Sequence, residues 1–510
     1  MKRRLTFFAV FALLVAACGG GDSGNEDGAS PDTPPPTQAS GVPAPEDTGV
    51  AQDTAVSDSE DEPEPTVDGA EDEAPEDSAS PEPSDDTMSD EEVAALSDPI
   101  FQPTCRGEGE LSATATGVTA DTIKVGAPQI DYAELGSLGL VQADRGDNAV
   151  ILQALAQELN DNGGICGRMV ETVTYKFLPF GTGTSLAGCV YFTEDEKVFA
   201  VLGSFIRVPA GNICVTETHA TALIGAPFTV EDRARANAPW VNLEIATDRA
   251  LEVFVTALDK AGLLTDLGNV AVHSGAGRAE LVDNVLVPTL EAAGVEIAER
   301  TVIDVPAGDT QAGAAVWRTF AEIYRNADIN TVFIDGDNIF GVEQLIQNGL
   351  EVKLFNAERA TFTFGLQDSS DPSYFEAYTL GSPYAGNDNN QRMEDCIDAF
   401  ERQSGIEVIP TEQLPEDETD WFIPVRGFCR VFDLFVQLAA AAGPNLSNES
   451  LQAAIDSFGP IELPNEAFAS LGAGKYDARD GVVLMKWDPE AGDDDRGDFV
   501  VISDLIDTGG

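Results

Sequence analysis

The chain has 510 residues, 89 of them acidic and 28 basic, for a formal net charge of −61. Nucleic-acid binding needs a basic footprint, so this balance argues against a nucleic-acid partner. An acidic surface argues instead for solubility and a salty habitat.

The first four residues, Met1-Lys2-Arg3-Arg4, precede an apolar run over 5–17 and then Cys18. A basic start, an apolar stretch and small residues before a cut site read as a signal peptide over 1–17. The apolar run is too short to span a bilayer as a helix. Val15-Ala16-Ala17-Cys18 fits a lipobox, in which the Cys18 thiol receives lipid and anchors the chain to a membrane. An ordinary secretory signal with an incidental cysteine is the competing reading. Between Gly19 and Cys105 there are 25 acidic residues, no Lys or Arg, and 13 of the 29 prolines. Such a segment cannot bury enough apolar surface to offset its ordering entropy, which predicts a disordered, extended tether over 18–104. The alternative is an acidic tail for a cationic partner. Outside leader and tether, 64 acids still face 25 bases.

From Thr119 onward the pattern alternates. Short β-branched and apolar runs predict strands at 123–127, 170–175, 199–202 and 222–226. Ile151, Ala154, Leu155 and Leu159 follow the first run at helical spacing, and Asn162-Gly163-Gly164 stops that helix. Strand, helix and strand at this spacing make a right-handed βαβ unit and imply a parallel sheet. A helix over 248–261 leads to a second series, with strands at 269–273, 295–302, 331–334 and 353–356. Its helices fall near 279–293, 312–325 and 340–348. A strand at 378–382, helices near 391–403 and 427–442, and strands at 482–487 and 498–502 close the chain. Two successive β/α series are too much for one core, so the fold class is α/β with two Rossmann-like lobes.

Gly117-Val118-Thr119-Ala120-Asp121, the turn Asn160-Asp161-Asn162-Gly163-Gly164-Ile165-Cys166-Gly167-Arg168 and the strand Lys197 to Phe205 carry a family resemblance. The chain resembles the branched-chain-amino-acid-binding receptors of ABC transporters, the type I periplasmic binding proteins, over about 117–504. The resemblance implies lobe one over 105–247, lobe two over 248–377, a return to lobe one over 378–480 and to lobe two over 481–510. It implies a hinge of three crossings near 246–249, 375–379 and 478–481, which lets a cleft close on a ligand. It implies a monomer that delivers a small solute to an ABC permease, with no catalytic residue. A sensor or regulatory lipoprotein of the same fold, or a scaffold without ligand binding, is the alternative.

Six cysteines remain beside Cys18, and in an exported chain an even number reads as disulfides. Within the implied fold, the pairing is Cys105–Cys166, Cys189–Cys214 and Cys396–Cys429, with Cys166–Cys189 as the rival. No CxxC pair exists and neither His219 nor His273 lies near two cysteines in sequence, so a zinc site is not expected. Asp493-Asp494-Asp495 reads as a polar hairpin turn before it reads as a calcium site. No nucleophile elbow, P-loop or HExxH is present, so we expect no enzyme, no metal and no cofactor.

In open parallel sheets ligands sit beyond the carboxyl ends of the strands. That places candidate loops at 129–140, 203–211 and 227–232 in lobe one, and at 274–278, 335–338 and 356–359 in lobe two. The resemblance matches Thr229 to a threonine that helps hold a ligand carboxylate, and Glu358 to an acid that takes the ammonium. Two departures follow. Ser204-Phe205-Ile206-Arg207 stands where relatives carry a Ser/Thr run, and a Gly-rich turn with Gly275 stands where they carry a tyrosine. Read physically, Arg207 offers a fork to a carboxylate or phosphate. Tyr132, Phe205 and Phe228 offer an apolar or stacking wall. Asp335 and Asp337 add negative charge near Glu358, favouring a cationic or amine-bearing ligand. The bland reading of each is interlobe packing or a solvated loop charge.

Overall fold

A computed structural model describes residues 100–137, 145–305, 310–336, 339–359, 362, 376–384, 389–415, 418–491 and 497–508. Cys18, the tether up to residue 99, Asp337 and the acidic turn at 493–495 lie outside the described residues. The expected tether end at 104 is corrected, since Phe101 is 1% exposed and packs edge-on against Phe432 in the first core.

Five strands form the first sheet: β1 (Thr122–Ile130), β2 (Met169–Phe177), β3 (Ala200–Leu202), β4 (Ala222–Ile224) and β5 (Trp240–Val241). Their order is β2-β1-β3-β4-β5, and every pairing is parallel. β1 is interior, and its run of five successive buried residues shows the burial on both faces that a parallel sheet requires. Helices Asn148–Asp161, Gln391–Ser404 and Phe422–Ala442 cover one face, with Ile151, Leu155, Phe400 and Phe432 in a shared core. Asp147 caps the first of these by accepting from the amide of Ala149, which satisfies one orphan donor. The opposite face packs Phe192, Phe205, Val215 and Trp240.

The second sheet has eight strands. β6 (Asn269–Gly275), β7 (Ile297–Ile303), β8 (Ile329–Asp335), β9 (Lys353–Phe355) and β10 (Ala377–Gly381) are parallel. After a small pair, β11 (Gly459–Pro460) and β12 (Ser470–Leu471), β13 (Gly481–Asp488) returns antiparallel to β10, and β14 (Asp498–Val501) and β15 (Ile506–Asp507) pair with it. The order β14-β13-β10-β9-β8-β6-β7 therefore ends in an antiparallel margin. Helix Thr247–Lys260 packs Leu251, Phe254 and Leu258 on one face of this sheet. Helix Thr310–Asn326 packs Trp317 and Tyr324 on the other.

The first and third crossings run side by side. The amide of Asn242 donates to the carbonyl of Tyr476, and the amide of Ala478 donates to that of Asn242, both at 2.9 Å. Arg249 grips Asp477 at 2.6 Å and reaches the Thr508 carbonyl at 3.1 Å, tying the first crossing to the third. The second crossing lies later than expected. Ala377–Gly381 is a strand of the second sheet, so the chain leaves that lobe after Gly381 and not within 375–379. Cys105–Cys166, Cys189–Cys214 and Cys396–Cys429 are bonded, and the last staples the two helices that close the first core.

Candidate functional site

The carboxyl ends of the strands carry an uneven set of charges. In the first lobe, Tyr132 opens the short helix after β1. Burial pushes its hydroxyl up; Arg145 opposes this, Asp420 adds to it and Arg207 opposes it. Arg145 is itself ion-paired with Asp420. Beyond β3, Arg207 is exposed and sits in the left-handed region at φ 66°, an uncommon conformation for a non-glycine residue. Beyond β4, Thr229 caps helix Val230–Arg235. Its hydroxyl donates to Asp232 at 2.8 Å and accepts from the Asp232 amide at 3.0 Å.

In the second lobe, three neighbouring strand ends converge. Beyond β6, the turn Ala276–Arg278 delivers Arg278, whose Nε and Nη2 donate to Asp335 at 3.1 and 3.2 Å. Asp335 ends β8 and is buried. Beyond β9, Asn356 Oδ1 accepts from the Glu358 amide at 2.7 Å, which holds a local turn. Water reaches Glu358, yet protein crowds its carboxyl. That crowding pushes its pKa up; Arg278 opposes this, Asp335 adds to it, Arg207 opposes it and Glu244 adds to it. Glu358 thus feels charges of both lobes. Among the described residues its carboxyl makes no hydrogen bond or ion pair.

Behind these groups lies a four-charge cluster that sequence reasoning missed. Arg430 and Arg479 each bond both Glu244 and Glu466. Burial opposes ionisation of Glu244, but Arg479 and Arg430 outweigh it and hold the carboxyl down at about 2. Glu466 is buried, and the Glu244 side chain, though crowded by protein, keeps 46% of its surface exposed. Arg430 is a mid-helix residue and Arg479 a crossing residue, and neither position carries a motif.

The aromatic wall expected in lobe one is not there. Phe205 is only 1% exposed and packs edge-on against Phe177 with centroids 5.2 Å apart. It enters the core because Gly188 and Gly211 leave room: a Cβ at either would lie 2.7 or 2.6 Å from its ring. Phe228 is likewise buried, edge-on to Trp240 at 5.7 Å. Ser204 accepts from Asn212 Nδ2 at 3.0 Å, and Gly275 donates its buried amide to the Gly336 carbonyl at 3.2 Å. Arg278 joins Asp335 and Glu358 at strand ends of the second lobe, and Arg207 acts electrostatically on both Glu358 and Tyr132. Two buried groups there lack partners among the described residues, Gln129 Oε1 at the end of β1 and Asn356 Nδ2 after β9. Both histidines have structural surroundings: His219 lies 3.8 Å from Glu194, and His273 is inside the second core. His219 does come near Cys189 and Cys214 in space, but those sulfurs are bonded to each other.

Comparison with solved structures gives the fold a name. A solute-binding protein of an ABC transporter from Rhodopseudomonas palustris BisB5, in complex with 3,4-dihydroxybenzoic acid, matches with a TM-score of 0.54 at 14% identity. The match covers 76% of this chain and 98% of that one. A periplasmic binding protein type 1 from Bordetella pertussis Tohama I matches at 0.54 and 12% identity, over 75% and 100%. A leucine-, isoleucine-, valine-, threonine- and alanine-binding protein from Brucella ovis, in its closed conformation, matches at 0.51 and 13%, over 76% and 96%. No family model matches the chain, and no curated protein does. The fold is that of the type I periplasmic binding proteins. Among the described residues no helix is long and apolar enough to cross a membrane.

Proposed function

We propose that the chain is an extracytoplasmic, lipid-anchored receptor that binds a small amine-bearing solute between its lobes and hands it to an ABC importer. The observation that carries this reading is Glu358. Its carboxylate stands at a strand end, is crowded by protein, faces Arg207 across the lobes and has no partner among the described residues. A carboxylate crowded by protein and left without a partner is stabilised by an opposite charge, and an ammonium group supplies one. The solved structures of like fold support the transport role, since two of those compared are named as ABC-transporter or amino-acid-binding proteins. Val15-Ala16-Ala17-Cys18 supports the anchor.

The test is a thermal-shift screen of amino acids, amines, aromatic acids and short peptides, followed by calorimetric titration. A ligand at about 100 times its Kd adds roughly 2.7 kcal/mol to stability. Glu358→Gln keeps the shape and removes the charge, so amine affinity should fall about 30- to 1000-fold. Unchanged affinity takes Glu358 out of the site. A neutral, amine-free ligand ends the amine reading. For the anchor, Cys18→Ala should abolish labelling by radioactive palmitate, and persistent labelling sinks the lipobox.

A further inference from the structure

We propose that Arg278 takes an anionic group of the solute, a carboxylate held by the outer edge of its guanidinium, with Asp335 and Gly336 as the residues that aim it. The proposal rests on the reading of the cleft as a solute site and adds a second requirement to it. The solute carries a carboxylate as well as an amine.

The geometry is a side-on fork. Nε and Nη2 of Arg278 donate to the two oxygens of Asp335, at 3.1 and 3.2 Å. A guanidinium is planar and has five N–H groups. This pairing uses one edge and leaves the Nη1–Nη2 edge, whose donors match a second carboxylate. Arg278 donates to no other residue among those described. Its side chain is 28% exposed while that of Asp335 is 3% exposed, so the pair is anchored inside and open outward.

Gly336 fixes the lie of the arginine. A Cβ there would sit 2.1 Å from Cγ and 2.5 Å from Nε of Arg278, so any side chain displaces the arginine. The backbone at φ +48° is also one that glycine adopts without cost. An ordinary surface ion pair needs no such cradle. A second donor lies at the neighbouring strand end, where the buried Asn356 Nδ2 has no acceptor among the described residues. Arg278 and Glu358 stand at the ends of β6 and β9, on either side of β8. One lobe thus presents a guanidinium edge and a carboxylate close together, the complement of a carboxylate and an ammonium on one small molecule. Asp335 holds Arg278 in place, so Asp335 is a positioning residue.

The experiment titrates the full chain calorimetrically with matched pairs: L-leucine and L-leucinamide, L-phenylalanine and L-phenylalaninamide, 4-aminobutyrate and 4-aminobutyramide. In at least one pair, wild type should bind the carboxylate about 10- to 100-fold more tightly than the amide. Arg278→Gln should erase that preference and leave amide affinity within about threefold. Asp335→Asn should reduce the preference without abolishing it. Equal binding of both members by wild type, which needs no variant, overturns the role of Arg278. So does a preference that survives in Arg278→Gln. Loss of amine binding in Glu358→Gln would then still uphold the solute-receptor reading. No binding in any pair overturns both.

Discussion

A neutral imidazole sealed beneath a tryptophan makes stability depend on pH. His273 is fully buried, its Nδ1 lies 2.9 Å from the Thr301 hydroxyl, and its ring centroid is 4.4 Å from that of Trp317. Burial, with help from Arg300, holds its pKa down at about 3 against an ordinary 6.5. Between those values the unfolded chain binds a proton that the folded chain refuses. Stability is therefore lost as pH falls from 6.5 toward 3, by up to about 1.4 kcal/mol per pH unit. His273→Gln keeps a polar partner for Thr301 and removes the titration. Urea denaturation at about pH 7 and pH 5 should show wild type losing about 2 kcal/mol more than the variant. Equal losses would mean that His273 is not held neutral. The sequence placed this histidine at the end of a strand but could not show the shielding, which comes from Trp317 and Phe320 on a helix some forty residues on.

Elements differ in how plainly a sequence announces them. The runs at 123–127, 170–175 and 331–334 became β1, β2 and β8 because each is rich in branched residues and bounded by turns. The two-residue strand Trp240–Val241 went unread, being too short to show any period. The helix expected at 279–293 runs unbroken over 279–292, with a π segment at Val282–Leu286 and a 3₁₀ turn, Ala276–Arg278, leading into it. Pro288 accounts for the π segment, since it has no N–H for the carbonyl of Asn284 and the π turn Val282–Leu286 directly precedes its α-helical turn. Loop aromatics misled for the same reason that strands did not. Whether Phe205 faces cleft or core depends on Gly188 and Gly211 in two other elements, which no local pattern encodes. The four-charge cluster also joins distant elements: helix Phe422–Ala442, the third crossing and the loop at Glu466. Arg479→Met would leave the buried Glu466 with Arg430 alone, so unfolding free energy should fall by about 3 kcal/mol. Glu466→Gln in the same background should recover part of that loss, because it removes the stranded charge. A double variant no more stable than Arg479→Met would show that the arginine acts by packing instead.

At the scale of the whole molecule, two opposed electrostatic effects decide how the lobes sit. Outside leader and tether, 64 acids against 25 bases leave a net charge of −39, which pushes the lobes apart. Across the cleft, Arg207 of the first lobe attracts Glu358 of the second, and Asp232 of the first attracts Arg278 of the second. The repulsion acts between solvated surfaces over long distances, and each attraction involves a group crowded by protein, Glu358 in one pair and Arg278 in the other. Salt screens the first far more than the second, since the Debye length falls from about 30 Å at 0.01 M to about 3 Å at 1 M. Added salt should therefore draw the ligand-free lobes together. Dyes on cysteines introduced at the exposed positions Gln153 in the first lobe and Glu322 in the second would report this by energy transfer. Transfer efficiency should rise with salt in wild type. It should rise less in the double variant Arg207→Gln, Arg278→Gln, which keeps the repulsion and loses the attractions. A fall in efficiency with salt would mean that the cross-cleft pairs are as solvated as the surface and are screened first.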